Sequence, residues 1–193
     1  MGLNFLNLED QLAFYGQYHN NKVNVAIHIV FVPLILWTTL VVAANSGPLL
    51  PYDPNSVLNL IPLVPNAALL IVLFYITFYL LLEPVAGALY APLLLYLAYN
   101  ATNFAAAYPN NITIASIVHV ISWIIQFIGH GFFERRSPAL KDNVVQALLL
   151  APLFVWLEIL FTFRYRKDLQ KRVKDKVGKA ITKFRIEQRK KVE

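Results

Sequence analysis

Apolar residues run along this chain in long blocks, and the blocks are cut by short clusters of Asn, Pro and Gly. Ahead of the first block, Asn7 followed by Asp10 reads as a helix N-terminus. Leu8, Leu12 and Tyr15 then recur on one face until Asn20 and Asn21 interrupt, which predicts a short interfacial helix. The first block, Val23 to Ala44, carries His28 near its start and Pro33 within it, and ends at Asn45, Ser46, Gly47 and Pro48. Five prolines from Pro48 to Pro65 favour an extended loop. Asn66 to Leu82 and Val85 to Ala107, joined by Glu83 and Pro84, read as a hairpin of two helices. After Tyr108, Pro109 and two asparagines come Ile112 to Phe133 and then Asn143 to Phe163, the latter with Pro152 inside it. Beyond them Leu169, Val173, Val177, Ile181 and Phe184 recur at near-helical spacing among Lys and Arg, the pattern of an amphipathic helix lying on a membrane.

A bilayer core takes about 20 apolar residues of helix, and the blocks approach or exceed that length with almost no charge. The sequence therefore predicts an all-α, polytopic membrane bundle with about five spans, a short N-terminal interfacial helix and a basic amphipathic C-terminal helix. Composition agrees: 58% of the 193 residues are hydrophobic and 15% charged. The first 17 residues hold two acids and no basic residue, so no cleavable signal peptide is expected and the first span acts as the insertion signal. The net charge of +6 is concentrated in Arg164 to Glu193, which has thirteen Lys and Arg against four acids. Residues 1–163 then form a membrane-embedded body and 164–193 a basic tail. Such a tail reads as a cytosolic segment pressed onto anionic lipid, and not as a nucleic-acid binder. The loop with Arg135, Arg136 and Lys141 lies across the membrane from the tail if all five blocks cross, unless one block enters and leaves on the same face. The ending Lys190, Lys191, Val192, Glu193 looks like the dilysine signal of endoplasmic-reticulum membrane proteins.

No cysteine is present, which excludes thiolate nucleophiles, disulfides, iron–sulfur clusters and thiolate-ligated haem. A metal would have to be held by nitrogen and oxygen. All four histidines, His19, His28, His119 and His130, lie in or beside apolar blocks, where an ionisable side chain is costly and by default functional. His119, Gln126, His130 and Glu134 fall on one stripe of the fourth block, since they are spaced by seven, four and four residues. That stripe serves equally as a polar seam between helices. On a straight helix His119 and His130 would stand about 16.5 Å apart along the axis, too far to share one ion. Gly129 and Gly131 bracket His130 and make a break plausible. With five spans, the start of the first block and the end of the fourth share a membrane side, so His19 and His28 can approach His130 and Glu134. Histidines with an optional carboxylate suit Fe(II), Zn(II) or Mn(II).

The run Phe14-Tyr15 to Tyr18-His19-Asn20, then Asn24 and His28, is followed far downstream by Gln126-Phe127-Ile128-Gly129-His130-Gly131. That block continues to Glu134-Arg135-Arg136, Pro138-Ala139-Leu140 and Asp142-Asn143. Together these motifs resemble the fungal endoplasmic-reticulum 2-hydroxy fatty acid dioxygenase family, from Leu8 to about Phe163. The resemblance implies an Fe(II)-dependent enzyme that uses O2 as co-substrate to shorten a 2-hydroxy fatty acid by one carbon, releasing CO2, in phytosphingosine degradation. By position it implies His19, His28, His119 and His130 as iron ligands. Gln126 and Glu134 would then orient imidazoles, and Arg135, Arg136 or Lys22 would steady the substrate carboxylate. Two other functions compete: a membrane zinc hydrolase of lipid with Glu134 as base, and a non-enzymatic protein that shapes the endoplasmic-reticulum membrane. The oligomeric state is not legible in the sequence.

Overall fold

Asn7 starts the first helix, α1 (Leu8–Gly16), by accepting a hydrogen bond from the Asp10 amide at 3.2 Å, with Glu9 and Asp10 favourably placed in its first turn. The remaining helices are α2 (Lys22–Ala44), α3 (Ala67–Leu82), α4 (Pro84–Ala107), α5 (Asn111–Ile128), α6 (Val144–Thr162) and α7 (Lys167–Lys190). A π-helical segment, Gly129–Glu134, continues α5. The computed structural model describes residues 7–53, 63–137 and 144–190, with the backbone alone at 145–147 and 188. No strand occurs among them, so the all-α expectation holds. The middle of the proline-rich loop, residues 138–143 of the charged loop and the ending at 191–193 lie outside the described residues.

Among the described residues, three stretches are long and apolar enough to cross a bilayer: α2, α4, and α5 with its π-helical continuation. α3 is apolar but has 16 residues, short of the usual span. α6 meets α7 at a bend of 119°, and the two counted together would make a fourth. The expected number of about five is thus approximate, with three to four candidate spans among the described residues. The large residues left outward, Leu70, Phe74, Leu81, Val85, Ile117 and Val120 among them, suit lipid better than water.

The chain divides into two compact units, Val30–Gln126 and Met1–Ile29 with Phe127–Glu193. In the first, Asn66 caps α3 by accepting from the Leu69 amide, and Pro84 occupies the first turn of α4. α4 turns a face of Ala86, Gly87, Tyr90, Leu94, Ala98 and Ala101 inward, the small-residue spacing that lets membrane helices approach. A Cβ on Gly87 would stand 2.8 Å from the Leu80 amide, so glycine is required at that corner.

In the other unit α1 packs on α6 and α7. Leu169, Val173 and Val177 of α7 are buried, and Val177 lies against Gly16. Arg172 and Lys176 pair with Glu9, and Lys176 also with Asp10, all at 2.8 Å. The tail helix is therefore amphipathic as expected, and the first part of its apolar face covers α1.

Candidate metal centre

Three of the four histidines come together. His19 follows the end of α1, His28 lies on the second turn of α2, and His130 sits in the π-helical segment. All three are buried, and one ligand nitrogen from each lies within 4.8 Å of the others. Their ring centres are 4.4, 4.8 and 4.9 Å apart, and the rings stand edge to face at 74–82°. The rings are near-orthogonal, so none of the three stacks on another.

Local bonds fix two of the three tautomers. His19 Nδ1 lies 3.0 Å from the Tyr15 carbonyl, which it caps at the end of α1, and His28 Nδ1 lies 2.9 Å from the Asn24 carbonyl. A carbonyl only accepts, so each Nδ1 carries the proton and each Nε2 keeps its lone pair. His130 Nδ1 is buried without a hydrogen-bond partner. Burial above all, then the neighbouring imidazoles of His28 and His130, hold the His19 pKa well below its ordinary value, so the ring is neutral. The Tyr15 ring stacks on His19 at 3.8 Å and leans on Phe154 of α6 at 4.6 Å. Its hydroxyl is buried and unpaired. Neutral imidazoles, two held by carbonyls and one with an orphaned nitrogen, are the donor set that Fe(II), Zn(II) or Mn(II) takes, so the residues fit a divalent metal.

The expected break at the glycines is the π-helical segment. The amides of both Arg135 and Arg136 turn to the His130 carbonyl, and Arg135 adopts φ 54°, which ends the segment. A Cβ on Gly129 would stand 2.6 Å from Asn24 Oδ1 and 3.3 Å from Ile27 Cδ1, so only glycine permits this approach.

Glu134 bonds no imidazole. Its carboxylate accepts from the backbone amides of Asn20 (3.1 Å to either oxygen) and Asn21 (2.9 Å) and from Asn24 Nδ2 (3.2 Å), and thereby closes the N-terminus of α2. Gln126 is buried, with Nε2 unpaired. Arg136 donates to the Gln17 carbonyl (3.0 Å) and Gln17 Oε1 (3.3 Å). Its guanidinium lies 3.9 Å from the Tyr18 ring centre and 4.2 Å from that of Phe184. Arg135 and Lys22 are exposed.

His119 stands in the other unit. Trp123 Nε1 donates to its Nε2 at 2.9 Å, which places the ring proton on Nδ1, 2.8 Å from Thr38 Oγ1. Both nitrogens are engaged, and His119 is not in the cluster. Periodicity gave no sign of this, because Thr38 is 81 residues away. Nor does the sequence pattern mark Tyr15 as a neighbour of the rings, since its apolar spacing on α1 accounts for it equally well.

The family model described as "2-hydroxy-palmitic acid dioxygenase Mpo1-like" matches residues 5–163. The 2-hydroxy-palmitic acid dioxygenase MPO1 of Saccharomyces cerevisiae is 38% identical over 170 residues, which cover 88% of this chain and 89% of the yeast protein. No solved structure matches the chain. With three histidines gathered inside the matched region, the chain belongs to the 2-hydroxy-palmitic acid dioxygenase Mpo1-like family.

Proposed function

We propose that this protein is a membrane dioxygenase that converts a 2-hydroxy fatty acid and O2 into the fatty acid one carbon shorter, CO2 and water, with Fe(II) held by His19, His28 and His130. The observation that carries the reading is the convergence of three neutral, buried imidazoles from residues up to 111 positions apart, in a chain 38% identical to a 2-hydroxy-palmitic acid dioxygenase. Bound Fe(II) would supply the activation of O2 next to the substrate's 2-hydroxyl and carboxylate.

The chain's own residues would do the rest. Tyr15, stacked on His19, keeps water from that side, and the carbonyls of Tyr15 and Asn24 aim two of the rings. Lys22 and Arg135, both exposed, are the carboxylate candidates that remain beside the commitment of Arg136 to Gln17 and two rings. The acyl chain would stay among apolar helices. The enzyme would reside in the endoplasmic-reticulum membrane, with residues 1–163 embedded and the basic segment 164–193 on the cytosolic side, consistent with phytosphingosine degradation.

The test is metal analysis of protein purified in detergent, paired with turnover of 2-hydroxypalmitate with and without O2. Stoichiometric iron with O2-dependent CO2 release is expected. Oxygen-independent turnover, or activity with zinc alone, would overturn the reading in favour of a hydrolase.

A further inference from the structure

Asn24 touches the carriers of all three histidines. Its own carbonyl accepts from His28 Nδ1 at 2.9 Å. Its side-chain Nδ2 donates to the Tyr18 carbonyl at 3.3 Å, immediately before His19, and to Glu134 Oε2 at 3.2 Å, one turn after His130. Its Oδ1 has no hydrogen-bond donor and lies where a Cβ of Gly129 would be, 2.6 Å away, immediately before His130. The residue is completely buried. Two acceptors on Nδ2 fix which way round the amide stands, so Oδ1 must face the Gly129 backbone.

We propose that Asn24 is the positioning residue of the centre, a single amide that holds the three histidine-bearing segments in register. Two alternatives are weaker. A hydrophobic side chain at this position would fill the space but leave the Tyr18 carbonyl without its donor. An aspartate would set a second carboxylate against Glu134. Only an amide offers two donors on one side and a small acceptor on the other, which is why asparagine fits between an acid, a carbonyl and a glycine. Glu134 completes the frame, since it ties Asn24 to the amides of Asn20 and Asn21 that lead from His19 into α2. Residues that orient metal-bound imidazoles typically change metal affinity by about 10- to 100-fold when removed.

The inference rests on the triad being a metal site, and the experiment separates the two. Co(II) is titrated into detergent-purified protein, with its visible ligand-field spectrum and affinity as readouts and thermal melting as the control for folding. Wild-type protein that binds no Co(II) would overturn the metal centre itself. Given wild-type binding, Asn24→Ala should weaken it about tenfold or more and alter the spectrum. Asn24→Asp should be worse, and adding Glu134→Gln should recover part of that loss by restoring a donor opposite the new carboxylate. Unchanged affinity and spectrum in Asn24→Ala, or no recovery in the double variant, would overturn the proposal. If the Asn24 variants do not fold, Gly129→Ala decides: its methyl strikes Oδ1, so it should weaken Co(II) binding at preserved melting temperature. Wild-type affinity in Gly129→Ala would then overturn the proposal.

Discussion

Arg136 is the residue whose replacement separates two accounts of this region most sharply. The sequence offers it as a partner for a substrate carboxylate, whereas its guanidinium is packed between Tyr18 and Phe184 and donates to Gln17. Each ring contact contributes about 0.5–1 kcal/mol at a partly exposed site, and a charged donor on a carbonyl about 1.5–3 kcal/mol. Arg136→Ala should therefore loosen residues 17–21 by about 3 kcal/mol, on the order of 100-fold in the local opening equilibrium. Amide hydrogen exchange across the turn between α1 and α2 measures this directly. Arg136→Lys should behave nearly like alanine, because a lysine cannot stack on two rings and donate to Gln17 in the same fork geometry. Metal affinity should fall with the loosening, as His19 sits in the affected turn. Normal exchange in Arg136→Ala together with a raised KM and unchanged metal affinity would refute the clamp and return Arg136 to the substrate.

Other outcomes follow from the same geometry. His130→Ala should abolish stoichiometric metal and turnover together, and chelation of the wild-type protein should do the same, reversibly on addition of Fe(II) but not Zn(II). His119→Leu should leave the metal content intact while costing about 1 kcal/mol of stability, because Thr38 and Trp123 lose a part-buried partner; loss of metal would restore it to the ligand set. Glu9 has its pKa lowered by hydrogen bonds from Lys176 and Arg172, and that of Lys176 is raised by Asp10 and Glu9. Docking of α7 on α1 should therefore weaken as pH falls from the ordinary 4.5 of a glutamate through the lowered pKa of Glu9, and again as it rises from the ordinary 10.5 of a lysine through the raised pKa of Lys176. The effect is a few tenths of a kcal/mol for such exposed pairs and is suppressed by salt, as exchange in α7 would show.

What the sequence disclosed was set by local physics. Apolar block length located the long helices, and Asn7 announced the start of α1 because a cap is a contact over three residues. The glycines beside His130 signalled a break, and the break is there. Partners far along the chain were beyond reach. Glu134, read as a neighbour of His130, instead closes a helix that begins more than a hundred residues earlier. His119 shares a stripe with His130, yet its hydrogen bonds belong to Thr38 and Trp123. An amphipathic pattern reports that one face of α7 avoids water; Leu169, Val173 and Val177 could as well have met lipid as α1, and packing decided.

The π-helical segment carries a consequence for how this family can change. An extra residue in a turn shifts the angular phase of everything that follows, so the outward stripe of α5 and the inward set of His130, Glu134 and Arg136 need not share one helical face. Forcing Gly129–Glu134, at unchanged length, into ordinary winding would swing the downstream side chains by about 100°. Glu134 would leave the amides of Asn20 and Asn21, and Arg136 would leave its two rings. The chemistry of this protein thus depends on how that one segment winds as much as on the kinds of residue it carries.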